Sequence, residues 1–211
     1  MQERRRMFRW MLGGSAGLAL GLPLLRADAM TESADEAWLT ALATKKQKAF
    51  LDVPTYFVDG SPFRRSNALL AAFTGAYAMP AKDIGIAVGF HGPALAYTMT
   101  ADAWKEYDLL ERVAKSLRAE DAAALRAMGA GAPALGVEGL KDMVGKGMHV
   151  LACRNTMMRW ARDLATKRQQ EPEAVMKALE ASVQPTVIAV PAMIAAAVLA
   201  QSRGISYVAI S

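Results

Sequence analysis

One cysteine and two histidines are all the thiol and imidazole chemistry that 211 residues contain. The cysteine, Cys153, closes the apolar run His149-Val150-Leu151-Ala152 and is followed by polar Arg154-Asn155-Thr156. Such a run reads as a buried strand leading into a helix. The thiol then sits at the carboxyl end of a strand, where open α/β sheets place their ligands and where helix-end amides favour a thiolate. A single sulfur cannot close an intramolecular disulfide. It is either an inert small hydrophobe, since free cysteines are among the most buried residue types, or a reactive thiol whose partner lies on another molecule. Persulfide chemistry suits the second case. A thiolate accepts a sulfane sulfur and surrenders it to another thiolate, and a carrier needs an accessible cysteine with no neighbouring thiol to resolve the adduct as a disulfide.

The candidate supporting groups follow from the same edge of the sheet. Asn155 and Thr156 are capping residues beside the thiol that can hydrogen-bond to S⁻ or to a persulfide anion. His91 ends a different expected strand, and parallel strands bring their carboxyl ends together. Its ring either meets Cys153 and relays a proton, or simply bonds to the backbone of the turn at Gly92-Pro93. His149, at the start of its strand, reads as structural. A soft-metal site of His91, Cys153 and Met157-Met158 has no recognised ligand spacing, and methionines at helical positions are ordinary core filler. No metal and no cofactor are therefore expected. Gly129-x-Gly131 and Gly145-x-Gly147 lack the third glycine and the strand-before, helix-after setting of a dinucleotide site. No HExxH, GxSxG, P-loop or paired-carboxylate motif appears, which leaves hydrolase and phosphotransfer readings without support.

The elements that must position these groups alternate. Thr31 to Ala43, with early acids and Trp38-Leu39, reads as a leading amphipathic helix or ordered arm. Ala49–Val53 and Thr55–Val58 are β-leaning runs that meet at Pro54, suggesting one strand with a break or bulge. Pro62 starts a helix that the spacing of Leu69, Leu70, Phe73 and Tyr77 extends to Met79. Ile84 to Phe90 is continuously apolar, as expected of a central parallel strand covered on both faces. One helix is expected from Ala101 to Leu117, then a Gly/Ala/Pro-rich loop from Gly129 to Gly136, a short helix from Val137 to Val144, and the strand ending at Cys153. Helices at Thr156 to Arg168 and Pro172 to Ser182, a strand at Val187 to Val190, a helix at Ala192 to Gln201 and a last strand at Ile205 to Ile210 complete the plan. Such alternation argues for right-handed βαβ units and a mostly parallel sheet of about five strands between two helical layers.

The amino-terminal segment stands apart. Arg4-Arg5-Arg6-Met7-Phe8-Arg9 precedes an apolar, glycine-rich stretch from Trp10 to Leu25, and Ala27-Asp28-Ala29 offers a small-x-small cleavage site, so residues 1–29 read as an export signal. Arg5-Arg6-Met7-Phe8 resembles the twin-arginine pattern, which directs a folded protein to the periplasm. The apolar stretch is short of the ~20 residues a membrane span needs and is interrupted by Gly13, Gly14, Gly17, Gly21 and Pro23. No stable membrane span is therefore expected once the signal is removed. Residues 30–48 then form the leading helix or arm and residues 49–211 one α/β domain, a length that can bury a real core. The signal carries five arginines against Glu3 and Asp28, so of the whole-chain net charge of +5 only about +2 remains on the rest. The remaining basic residues lie among acids, which removes the case for nucleic acid binding. Arg64-Arg65 is the one basic pair with the look of an anion contact.

Three segments, in order, carry a family resemblance: Ile86-Ala87-Val88-Gly89-Phe90-His91-Gly92-Pro93-Ala94-Leu95, then Gly147-Met148-His149-Val150-Leu151-Ala152-Cys153-Arg154-Asn155-Thr156-Met157, then Val190-Pro191-Ala192 through Gln201-Ser202-Arg203-Gly204-Ile205-Ser206-Tyr207-Val208. From about residue 49 to the carboxyl terminus the chain resembles the DsrE/DsrF sulfur-relay family. The resemblance implies a three-layer flavodoxin-like fold, homo- or hetero-oligomers, donor and acceptor proteins for sulfur, and a persulfide-carrying cysteine that falls on Cys153. The chain departs from the family in its export signal and in inserted sequence around Arg118 to Gly136 and Arg162 to Ser182. The expected function is that of an exported persulfide carrier or sulfurtransferase. The alternative is a non-catalytic oligomeric module that binds a small ligand or a protein, with Cys153 only packed.

Overall fold

In the computed structural model, residues 34–211 are described, and the expected signal at residues 1–29 lies outside them. The chain runs α1 (Ala34–Ala43), β1 (Gln47–Val53), α2 (Ser61–Ala71), β2 (Ile84–Phe90), α3 (Ala101–Glu106), α4 (Leu109–Ala114), α5 (Ala119–Met128), α6 (Gly131–Gly145), β3 (His149–Cys153), α7 (Arg154–Arg168), α8 (Pro172–Ala181), β4 (Ile188–Val190), α9 (Met193–Ser202) and β5 (Ser206–Ala209). A π-helical turn at Ala72–Ala76 and a 3₁₀ segment at Gly92–Thr98 fill two of the connections. The five strands form one all-parallel sheet in the order β4-β3-β2-β1-β5. With helices on both faces this is a three-layer flavodoxin-like α/β fold, as the strand–helix alternation predicts.

Side-chain alternation divides the core in two. Leu51, Val53, Ile86, Val88, Phe90, Val150 and Ala152 point into the larger cluster, which Phe63, Leu95, Trp104, Leu140, Met157 and Trp160 complete. Phe50, Ala87, Leu151, Cys153 and Val190 point to the other face, beneath Trp38, Leu39 and Leu42 of α1 and Met193, Ala196 and Ala200 of α9. β2 is buried at every position, which explains its unbroken apolar sequence. The connections from β1 through to β4 pack their helices on the first face, whereas α9, between β4 and β5, lies on the second. Adjacent strands β3 and β4 therefore send their following helices to opposite faces, which opens a crevice at their carboxyl ends.

Four expectations are corrected. Thr55–Val58 does not extend the first strand: Pro54 has no amide to donate, and Phe57 instead bonds through both backbone groups to the Tyr97 hydroxyl, while Tyr56 stacks on Tyr97 with ring centroids 4.1 Å apart. The α2 helix stops at Ala71 and passes into the π-helical turn rather than continuing to Tyr77. The single helix expected over 101–117 is two, α3 and α4, separated at Asp108, whose φ is 48°. Tyr107 and Leu109 are both buried, and two residues apart on a straight helix they would face opposite sides. The Gly/Ala/Pro-rich loop is mostly helix. After one reversal at Gly129, α6 starts at Gly131, takes Pro133 in its first turn where a missing amide is tolerated, and runs through Gly136. There glycine serves close packing, because a Cβ on Gly136 would stand 2.6 Å from the Tyr97 carbonyl oxygen.

Candidate functional site

The carboxyl ends of the strands are laced sideways. His91 N–H donates to the Val53 carbonyl, Gly92 N–H to the Thr156 hydroxyl, and Asn155 N–H to the Pro191 carbonyl, so β1, β2, β3 and β4 are joined in succession just past their last residues. Gly92 is required in this lacing: its φ is 54° and a Cβ there would lie 2.6 Å from the Pro54 carbonyl oxygen. The register that pairs Phe90 with Ala152 carries on to bring His91 level with Cys153.

At that edge a cavity of about 370 Å³ opens. Cys153, Asn155, Thr156, Met158, Arg159 and Arg162 line it from β3 and α7, His91 from the end of β2, and Ala192, Met193 and Ile194 from the start of α9. The cavity therefore occupies the crevice between β3 and β4 that the connectivity creates. Cys153 is only 5% exposed and packs in the α1/α9 cluster, yet it also forms part of this wall. Helix α7 begins at the very next residue, with Cys153 in extended backbone as its cap.

All four residues named from the sequence, Cys153, His91, Asn155 and Thr156, line the one cavity, with different surroundings. Thr156 is buried and its hydroxyl accepts from Gly92 N–H at 3.2 Å and from Arg159 at 3.4 Å, so it braces the strand ends. Asn155 is exposed. His91 does use its backbone in the turn, but its ring has a further partner: Nε2 lies 3.0 Å from Asp52 Oδ1. The two atoms approach without the alignment of a hydrogen bond, and neither has another partner among the described residues. The second Asp52 oxygen accepts from the Tyr207 hydroxyl at 2.7 Å.

Asp52 and Tyr207 are the residues that sequence reasoning missed. Strand alternation puts Asp52 on the same face as Phe50, and Tyr207 stacks on Phe50 with centroids 6.3 Å apart. The signal was a lone carboxylate two residues after a buried aromatic, in a run from Ala49 to Val53 that is otherwise apolar. Burial pushes the Asp52 carboxyl up, but the His91 ring and the Tyr207 hydroxyl outweigh it and hold the group below its ordinary value. The same contact, with burial, pushes the Tyr207 hydroxyl up to about 12. A carboxylate thus lies against one nitrogen of His91, a residue that lines the same cavity as the thiol.

His149 is distant from all this, at the other end of β3, where burial and then the charge of Lys45 lower its proton affinity. Arg64 pairs with Asp59 at 2.6 Å, and Arg65 lies over the Phe57 ring, so the basic pair lies apart from the cavity. Among the described residues no group of three or more His, Cys, Asp or Glu side chains is arranged to hold a metal ion, and no helix is long and apolar enough to cross a membrane.

The class of protein that fold and site define is an all-parallel α/β protein with a thiol, an imidazole and a carboxylate at the carboxyl edge of its sheet. No protein-family model matches the chain, and no curated protein matches it.

Proposed function

We propose that the chain is an exported, DsrE-like sulfur-handling protein in which Cys153 carries sulfane sulfur as a persulfide. The observation that carries this reading is the shared wall of Cys153 and His91 in the strand-end crevice, with Asp52 behind the imidazole. His91 accepts the thiol proton. The Cys153 thiolate then attacks the outer sulfur of a donor persulfide or polysulfide: a new S–S bond forms at Cys153, the donor S–S bond breaks, and the donor leaves as a thiolate that takes up the proton. Nothing is oxidised or reduced overall. Delivery is the same exchange in reverse, with an acceptor thiolate attacking the outer sulfur. The export signal read at residues 1–29 makes the periplasm the compartment, with donor and acceptor proteins as partners.

The test is mass spectrometry of the protein after incubation with polysulfide or thiosulfate, both of which carry sulfane sulfur. The expected result is an adduct of about 32 Da, one sulfur atom, on Cys153, absent from Cys153→Ser. A folded wild-type protein that gains no such adduct from either donor would overturn the reading.

A second reading has an observation of its own. Ile194 and Val198 of α9 are 78% and 58% exposed, and Leu199, Tyr207 and Val208 are also exposed, an apolar surface that suits an oligomeric small-ligand or protein-binding module with a merely packed cysteine. Analytical ultracentrifugation of wild type and Ile194→Glu tests it: self-association lost in the variant, with no Cys153 adduct in either protein, favours the module.

A further inference from the structure

We infer that the Cys153 cavity is anion-selective, with Arg159 and Arg162 gripping a negatively charged group on the molecule that reacts at sulfur. The inference rests on the sulfur-carrier reading and names the substrate class for it. Arg159 and Arg162 are three residues apart on α7, so they share a helix face, and both line the cavity. Their surroundings differ from those of the other arginines on the same helix. Arg154 near its start pairs with Glu180 at 2.6 Å, and Arg168 at its end pairs with Glu106 at 3.7 Å. Among the described residues neither Arg159 nor Arg162 has a carboxylate partner, and the side chain of Arg159 makes one hydrogen bond, the 3.4 Å contact with the Thr156 hydroxyl.

Among the described residues no acid lines the cavity. Asp52, which meets the His91 ring, is committed to His91 and Tyr207, and Asp163, beside Arg162 on α7, pairs with Arg112 at 3.2 Å. The opposite wall, Ala192, Met193 and Ile194, is apolar. Two guanidiniums facing an apolar wall across about 370 Å³ make a site for a small ligand with one or two negative charges, held by the planar fork that suits oxyanions and carboxylates.

The arrangement also serves the chemistry. A thiolate repels an anionic donor, and two cations beside it offset that repulsion and raise the local concentration of such donors, an effect that salt screens. Two donor sources share this chemistry: an inorganic sulfur oxyanion, and an organic persulfide that bears a carboxylate.

The experiment compares alkylation of Cys153 in the full chain by iodoacetate, an anion, and by iodoacetamide, its neutral counterpart. The ratio of the two rate constants reads charge selection and cancels any common change in thiol reactivity. In Arg159→Gln/Arg162→Gln the ratio should fall about tenfold, in Arg159→Lys/Arg162→Lys it should largely recover, and in wild type it should shrink as salt rises. A ratio that is the same in wild type and the glutamine variant overturns the inference. If that variant also still gains its persulfide from polysulfide, the carrier reading stands without it. If neither reagent modifies folded wild type, the carrier reading falls as well. Protection of Cys153 from iodoacetamide by sulfate points to the oxyanion source, and protection by succinate to the carboxylate source. Protection by neither overturns the inference.

Discussion

At the amino edge of the sheet His149 opens β3 near Lys45, whereas at the carboxyl edge His91 follows β2 and meets Asp52. The two histidines sit on neighbouring strands of one sheet, yet their electrostatic settings are opposite. Lysines dominate the amino edge: Lys45 donates to the Lys82 carbonyl, Lys48 to the Ala43 carbonyl, and Lys46 takes the carboxylate of Asp83. At the carboxyl edge the carboxylate is aimed at the imidazole, and the adjoining cavity is lined by a thiol and by two arginines with no carboxylate partner among the described residues. The same fold thus builds an amino edge held by lysines and a carboxyl edge that opens into a cavity. Connectivity decides which is which, since only the carboxyl ends of β3 and β4 diverge to helices on opposite faces.

Exchanging the histidines in turn is the sharpest way to break the comparison. His91→Gln should slow persulfide formation at Cys153 about 100-fold at neutral pH, while His149→Gln leaves it unchanged, as rates of adduct appearance by mass spectrometry would show. Equal rates in the two variants would erase the distinction between the edges.

Asp52→Asn should reduce the same rate by about tenfold, since the imidazole loses the carboxylate that orients it. Its stability signature has a definite sign. The folded Asp52 carboxyl lies below the ordinary 3.8, so its stabilisation is present above that pH and is lost as pH falls through the folded value. Urea titrations should find wild type more stable than Asp52→Asn at pH 5 and above, with the gap closing below about pH 3.8.

His149 predicts a weaker, purely structural effect. Its folded proton affinity is lowered from the ordinary 6.5, so the protein loses stability as pH drops below that value, because the unfolded chain binds the proton more readily. In His149→Gln this slope should flatten in thermal unfolding scans between pH 7 and pH 5, with no change in Cys153 chemistry. Tyr207→Phe should have the smallest effect, about 0.5 kcal/mol at neutral pH, because its hydrogen bond to Asp52 is made by a ring that is 40% exposed. The wild-type advantage should vanish as pH rises from 10 through about 12, where the hydroxyl ionises in the folded state.

Local pattern was enough for the strands that carry the site. Ile84–Phe90 and His149–Cys153 are read from apolar runs alone, and the thiol at the end of the second run follows from them. Pattern failed where packing overrode it. The small residues from Gly129 to Gly136 imitate a loop, but Gly136 is small because α6 lies close against Tyr97 there, as it does against Phe63 at Gly139. The α3–α4 break is invisible in the periodicity, since it exists to bury Tyr107 and Leu109 together.

The sequence by itself determined an alternating α/β chain and a lone thiol at a strand end, because side-chain period and burial are local properties that neighbouring residues encode. Tertiary structure decided the company that thiol keeps. Asp52, His91, Cys153, Arg159 and Tyr207 come from β1, the end of β2, β3, α7 and β5, spread over more than 150 positions. Only the order β4-β3-β2-β1-β5 and its register bring them to one edge, and no spacing along the chain records which strands lie side by side.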